Sequence, residues 1–182
     1  IAAACRAGLR TAATERSFNN EQGLPLTILH SPGDTEVLVL EMGMRGFGQI
    51  TSLCEVARPD VGVVTAVGHS HTEMVGGIEG VARAKRELVE ALPKRGTAIL
   101  NADDARVASI AQHTGASVLT YGTTGEVRIS DLELDELARP RFLLETPWGS
   151  AEVALAVSGE HMAMNAAAAV AAETRLPPPC PS

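Results

Sequence analysis

Val37-Leu38-Val39-Leu40-Glu41-Met42-Gly43 and Val61-Gly62-Val63-Val64-Thr65-Ala66-Val67-Gly68-His69-Ser70-His71, followed by Ala82-Arg83-Ala84-Lys85-Arg86-Glu87-Leu88, decide the fold. Each of the first two segments is an apolar, β-branched run that ends on polar groups. Such runs predict strands buried on both faces, as in a parallel sheet. In open α/β sheets ligands bind just beyond the carboxyl ends of the strands, and Glu41 and His71 both fall there. A carboxylate and an imidazole at that position suit a divalent cation and the phosphates it holds.

Outward from these runs the pattern alternates. Before them, residues 1–8 are Ala-rich and read as a helix, residues 9–13 as a short strand, residues 17–21 as a polar loop, and a helix starts at Leu24. The first strong strand is predicted over 36–40. A glycine-containing loop follows, then a helix over 50–57 that Arg58-Pro59-Asp60 ends. The second strong strand is predicted over 61–67. Residues 78–92 carry apolar groups at helical spacing and are stopped by Pro93 and Gly96. A strand over 97–100 leads into Asn101-Ala102-Asp103-Asp104, where Asp103 is suited to cap a helix over 105–113. A further strand covers 117–121. This alternation predicts a parallel sheet with helices on both faces.

From Glu126 the rhythm changes. Residues 127–134, 141–146 and 151–157 read as consecutive strands, which predicts a small antiparallel meander. An Ala-rich helix is predicted over 161–174. The Pro-rich end cannot continue it, so the chain divides into a domain over 1–174 and a linker or truncated tail over 175–182.

The 182 residues are 45% hydrophobic, enough for one core, yet only 3% aromatic. That core must be built of Ala, Val, Leu and Ile. The net charge of −7 argues against a nucleic-acid partner, whose phosphates need a basic face. No apolar run reaches the roughly 20 residues of a membrane span, and no secretory leader is visible. Cys5, Cys54 and Cys180 form neither a disulfide framework nor a zinc knuckle, so a cytoplasmic location is expected.

Taken singly, the polar residues read as ordinary ones. Glu41 as a solvated strand end, His69 and His71 as loop histidines, Lys85 as a solvated lysine pairing with Glu87 or with neighbours a turn away, Asn19 and Asn20 as turn residues, and His161 with Asn165 as an exposed helix face each need no ligand. Their order is more specific. Ser-Phe-Asn-Asn-Glu-x-Gly-x-Pro-Leu-Thr over 17–27 precedes Leu-Glu-Met-Gly-x-x-Gly-x-Gly-x-Ile over 40–50. Then come Pro-Asp-Val-Gly-Val-Val over 59–64, Val-Gly-x-x-His over 67–71 and Ala-Lys-x-Glu-Leu over 84–88. Leu-Asn-Ala-Asp-Asp over 100–104 and Gly-x-His-x-x-x-Asn-Ala over 159–166 complete the series. Together they resemble the central, ATP-binding domain of the Mur ligases, over nearly the whole chain.

The resemblance implies a three-layer α/β domain and an ATP-driven amide ligation in peptidoglycan precursor synthesis. Its most specific pieces, Asn-Asn-Glu and Glu-Met-Gly, are most like the branch that joins D-alanyl-D-alanine to UDP-N-acetylmuramoyl-tripeptide through an acyl phosphate. By resemblance Glu41 and His71 would hold Mg2+, and Lys85 would be carbamylated and help organise the second metal, so that Lys85 and His71 serve catalysis. Asn19 and Asn20 would face the substrate, His161 and Asn165 the nucleotide, and the protein would act as a monomer. The family's phosphate loop, Gly-x-x-Gly-Lys-[Ser/Thr], does not occur in these residues, so the chain is expected to start just past it and to be an inactive fragment of the ligase. Ala66 stands where the family usually has Asn, and Met162 where it often has Asn. Other Mur-type or folylpolyglutamate-type ligases, and a non-catalytic nucleotide-binding module, are the alternative readings.

Overall fold

The computed structural model describes residues 1–15, 17–68 and 72–176. The chain runs α1 (Ala2–Cys5), β1 (Thr11–Ala13), α2 (Gly23–His30), β2 (Val37–Val39), α3 (Gln49–Ala57) and β3 (Val61–Val64). It continues through α4 (Thr72–Val75), α5 (Ile78–Glu90), β4 (Thr97–Asn101), α6 (Ala105–Ile110) and β5 (Ser117–Gly122). Strands β6 (Val127–Leu134), β7 (Pro140–Thr146) and β8 (Gly149–Ala154) precede the last helix, α7 (His161–Glu173).

The main sheet has the order β3-β4-β5-β6-β7-β8. Strands β3 to β6 are parallel neighbours, while β6-β7 and β7-β8 are antiparallel. The expected meander is therefore present, and it continues the parallel sheet through the short pairing of Tyr121 with Val127 and Gly122 with Arg128.

Strand alternation divides the core in two. On β4, Ile99 packs with α7, while Ala98 and Leu100 pack with α5 and α6. On the first face Leu119, Tyr121, Val127, Phe142 and Leu144 meet Ala163, Ala167, Ala168, Ala171 and Ala172 of α7. Those alanines recur at i, i+4 and i+8, so one helix face carries no bulk and lies close on the sheet. On the second face Val81 and Val89 of α5 and Val107 and Ile110 of α6 cover the sheet. Gly80 lets α4 approach α5, since a Cβ there would stand only 1.7 Å from the Val75 carbonyl oxygen.

The structure departs from the sequence reading in several places. Strands β1 and β2 pair in parallel with each other but with no strand of the main sheet. Leu38, Val39, Val61 and Val63 are consequently half-buried rather than enclosed on both sides. Strand β3 stops at Val64, not at Val67, because Asn101 offers its side-chain amide to the Thr65 carbonyl (2.9 Å) where ladder pairing would otherwise continue. Helix α1 is shorter than expected, and α4 was not expected at all. The expected helix over 105–113 changes to a 3-10 turn at Ala111–His113.

Asp104, not Asp103, caps α6. Its backbone is extended, and its Oδ1 accepts from the Arg106 and Val107 N–H groups at 3.0 and 3.3 Å. Asp103 instead accepts four hydrogen bonds from the N–H and hydroxyl groups of Thr123 and Thr124, at 2.7–3.2 Å.

Candidate active site

A cavity of about 980 Å³ separates β2 from β3. Residues 36–42 line one side and residues 57–65 the other, one after the next. Side chains of a strand alternate between faces, so consecutive residues along both walls mean that strand edges border the space. Val37 donates its N–H to Arg10 and Val39 accepts from Thr14, so the β1 side of β2 is satisfied. By alternation Leu38 turns its backbone groups toward the cavity.

Glu41 stands at the carboxyl end of β2, on the cavity wall. Its N–H donates to Thr14 Oγ1 at 2.9 Å, which ties it to the end of β1. Its Oε1 accepts from Asn19 Nδ2 at 2.7 Å, and the Asn19 carbonyl in turn accepts from the Gly43 N–H at 2.8 Å. Gly43 eases that approach, because a Cβ there would lie 3.0 Å from the Asn19 carboxamide, which would have to give way. The Asn-Asn-Glu loop and the Glu-Met-Gly turn are thus one unit. Asn20 has a different place: its Oδ1 accepts from the Gln22 and Gly23 N–H groups, at 3.1 and 2.9 Å, at the start of α2.

Lys85 reaches the same cavity from α5, and its Nζ donates to the Ala66 carbonyl at 2.5 Å. Burial lowers its pKa from the ordinary lysine value, while the Asp104 carboxylate pulls the other way. A partly desolvated amine held near an open space is the state in which lysine becomes chemically useful. Glu87 does not pair with Lys85. Its two oxygens accept from the Gly48 N–H (2.7 Å), the Thr51 N–H (3.1 Å) and the Thr51 hydroxyl (3.2 Å). It therefore caps α3 from a neighbouring helix, where Gly48 at φ 80° supplies no side chain of its own. Spacing did not reveal this partner, since 36 to 39 residues separate the groups.

His161 and Asn165 lie one turn apart on the exposed face of the first turns of α7. Ala172 near the other end of that helix and Arg175 just beyond it line the cavity. Glu41, tethered by Asn19, and Lys85 thus both line the cavity, whereas Asn20, His161 and Asn165 do not. His71 lies outside the described residues.

Among the described residues no three His, Cys, Asp or Glu side chains converge on a metal-sized point. Mg2+ keeps several waters and takes one or two carboxylates together with substrate phosphates. Glu41 is an exposed carboxylate with one oxygen steadied by Asn19, and it fits that donor set.

These features define an α/β domain with a mostly parallel sheet and a cavity beside β3. The Mur ligase middle domain family matches residues 1–173, and the chain belongs to that family. Among its relatives is a UDP-N-acetylmuramoyl-tripeptide–D-alanyl-D-alanine ligase of Mycobacterium tuberculosis, 47% identical over 161 residues, covering 86% of this chain and 32% of the relative. The Bacillus subtilis protein of the same name is 35% identical over 161 residues, covering 87% and 34%. A crystal structure of MurF from Acinetobacter baumannii superimposes with a TM-score of 0.89 at 29% identity, over 94% of this chain and 38% of that one. MurF ligase from Thermotoga maritima in complex with ADP gives 0.82 at 27% identity, over 93% and 40%. The chain spans about a third of the length of the curated relatives it matches.

Proposed function

We propose that this chain is the ATP-handling part of a ligase that joins D-alanyl-D-alanine to UDP-N-acetylmuramoyl-tripeptide. The observation that carries the reading is that Glu41, on its Asn19 tether, and Lys85 line the same cavity between β2 and β3, in a chain 47% identical to a ligase so named. The tripeptide carboxylate attacks the γ-phosphorus of ATP, ADP leaves, and an acyl phosphate forms. The dipeptide amine then attacks the acyl carbon, and phosphate leaves as the amide forms. Such chemistry rests on positioning and on neutralising charge around the transferring phosphoryl group.

In this reading Glu41 would hold Mg2+, with His71 a second candidate ligand. When bound, the cation supplies positive charge to the phosphate oxygens. Thr14 and Asn19 fix the Glu41 backbone and carboxylate, so that the donor is in place before the nucleotide arrives. Asn19 thereby serves the metal side as well as the substrate side on which it is proposed with Asn20. The depressed basicity of Lys85 favours its neutral amine, the form that adds carbon dioxide to give a carbamate. That conversion replaces a cation with an anion suited to a metal. His161 and Asn165, exposed at the start of α7, are placed on the adenine and ribose side. The nucleotide-linked substrates put the reaction in the cytoplasm, and among the described residues no helix is long and apolar enough to cross a membrane.

Phosphate release by the full-length gene product tests the proposal. With ATP, Mg2+ and UDP-N-acetylmuramoyl-tripeptide, release should require D-alanyl-D-alanine. Release with glutamate instead would keep the family and overturn the substrate, and no release with either acceptor would overturn the ligase reading.

A further inference from the structure

The exit of β3 is held in an unusual way. One backbone group on each of the three residues after Val64 is met by a side chain from a different later element. The Thr65 carbonyl accepts from Asn101 Nδ2 (2.9 Å) at the end of β4, and the Ala66 carbonyl accepts from Lys85 Nζ (2.5 Å) on α5. The Val67 N–H donates to Asp104 Oδ2 (2.8 Å) at the start of α6. Asn101 also accepts from the Asp103 N–H through its Oδ1 (2.9 Å), so its carboxamide is fixed at both ends. Asp104 divides its two oxygens, Oδ1 to the first turn of α6 and Oδ2 to Val67.

Ladder pairing cannot do this job. The last β3-β4 pair is Val64 with Leu100, and the other edge of β3 borders the cavity. Side chains from later elements therefore hold residues 65–67, and Ala66 among them supplies the carbonyl that receives Lys85.

We propose that Asp104, assisted by Asn101, is a positioning residue: it sets the course of the β3 exit, and through the Ala66 carbonyl it sets how far Lys85 reaches into the cavity. The inference rests on the ligase reading above only for its effect on activity; the clamp itself is geometric. The link from Oδ2 to Val67 is not needed to cap α6, because Oδ1 alone accepts from the first turn of that helix. This separates the two roles of Asp104 experimentally.

In Asp104→Ser the hydroxyl still caps α6 but is too short to reach Val67. In Asp104→Asn one oxygen remains for the cap while an amide nitrogen confronts the Val67 N–H. Both variants are made in the full-length gene product. Exchange of the Val67 amide should accelerate by about tenfold, as expected for loss of one partly buried hydrogen bond. The melting temperature should stay near that of the parent. In the phosphate-release assay kcat should fall and the Mg2+ concentration for half-maximal rate should rise, with KM for D-alanyl-D-alanine little changed.

Unchanged exchange at Val67 would overturn the clamp. Faster exchange with kcat and Mg2+ dependence intact would overturn the positioning role, as would an activity loss matched by a fall in melting temperature in both variants. If the parent protein releases no phosphate, the functional reading fails and the positioning role fails with it, while the exchange result alone still decides the clamp.

Discussion

The two ends of this molecule are built to different standards of completeness. From β4 to β8, each strand has its neighbour and α7 lays a continuous alanine face on the sheet. From β1 to β3 the pairing is interrupted. Strand β2 turns one edge to β1 and the other to a cavity of about 980 Å³, and β3 borders the same space. The complete end carries no candidate chemistry apart from the exposed His161 and Asn165. The interrupted end gathers Glu41, Asn19 and Lys85. Packing density and chemistry are thus segregated: the alanine-faced layers hold a rigid sheet, and the strand ends that it positions face open space. A site on rigid elements is more exact than one on loops alone.

The comparison breaks most visibly if removing side chains at the open end leaves activity intact. Glu41→Ala and Lys85→Ala, made in the full-length gene product, should each lower D-alanyl-D-alanine-dependent phosphate release by about 10²–10³, the scale of losing one charge-organising group. Their effect on folding should be small, because Glu41 is exposed and Lys85 borders the cavity. If either variant keeps full activity and the same Mg2+ dependence, the cavity is not where the reaction runs.

The packing half of the comparison can be tested with one chemical change at two places. Ala167→Leu adds three carbons to a fully buried position beneath α7 and should destabilise the chain by about 1–3 kcal/mol in urea unfolding. Ala13→Leu adds the same carbons on the cavity wall, where space exists, and should change stability by less than about 0.5 kcal/mol. Equal effects would mean that the two ends are packed alike.

What the sequence made legible follows the same division. Runs such as residues 37–40 and 97–100 declared strands, because β-branched apolar residues in short blocks have few other uses. The alanine helix was plain from composition, and Glu41 stood out by its place at a strand end. The gap was not legible, because a strand's neighbour leaves no trace in its own residues. Nor could spacing choose between Asp103 and Asp104 as the cap of α6. They are identical groups one position apart, and only the backbone direction at Asp104 and the approach of Thr123 and Thr124 to Asp103 decide. Glu87 was misjudged for a related reason: its local neighbour Lys85 was visible, whereas its real partners, Gly48 and Thr51, come from another helix. His71 lies outside the described residues, so its role rests on the proposal alone.

The smallest effect concerns Asp103, at the border of the complete end. Burial there would raise the carboxyl's pKa, yet the N–H and hydroxyl groups of Thr123 and Thr124 outweigh it and hold the group below the ordinary aspartate value. An acid whose folded pKa lies below the unfolded one, near about 3.9, binds fewer protons folded than unfolded in the interval between them. Its contribution is therefore fully present above the unfolded value and is lost as pH falls through the folded one. Asp103→Asn should lower the urea midpoint modestly at pH 7. The difference between variant and parent should then shrink as the pH falls below the unfolded value and through the lower, folded one. The loop over residues 122–124 would be loosened in both acidified parent and variant. A difference that grows toward low pH would mean that the hydrogen bonds of Asp103 favour its protonated form, the opposite of the assignment made from the four donors around it.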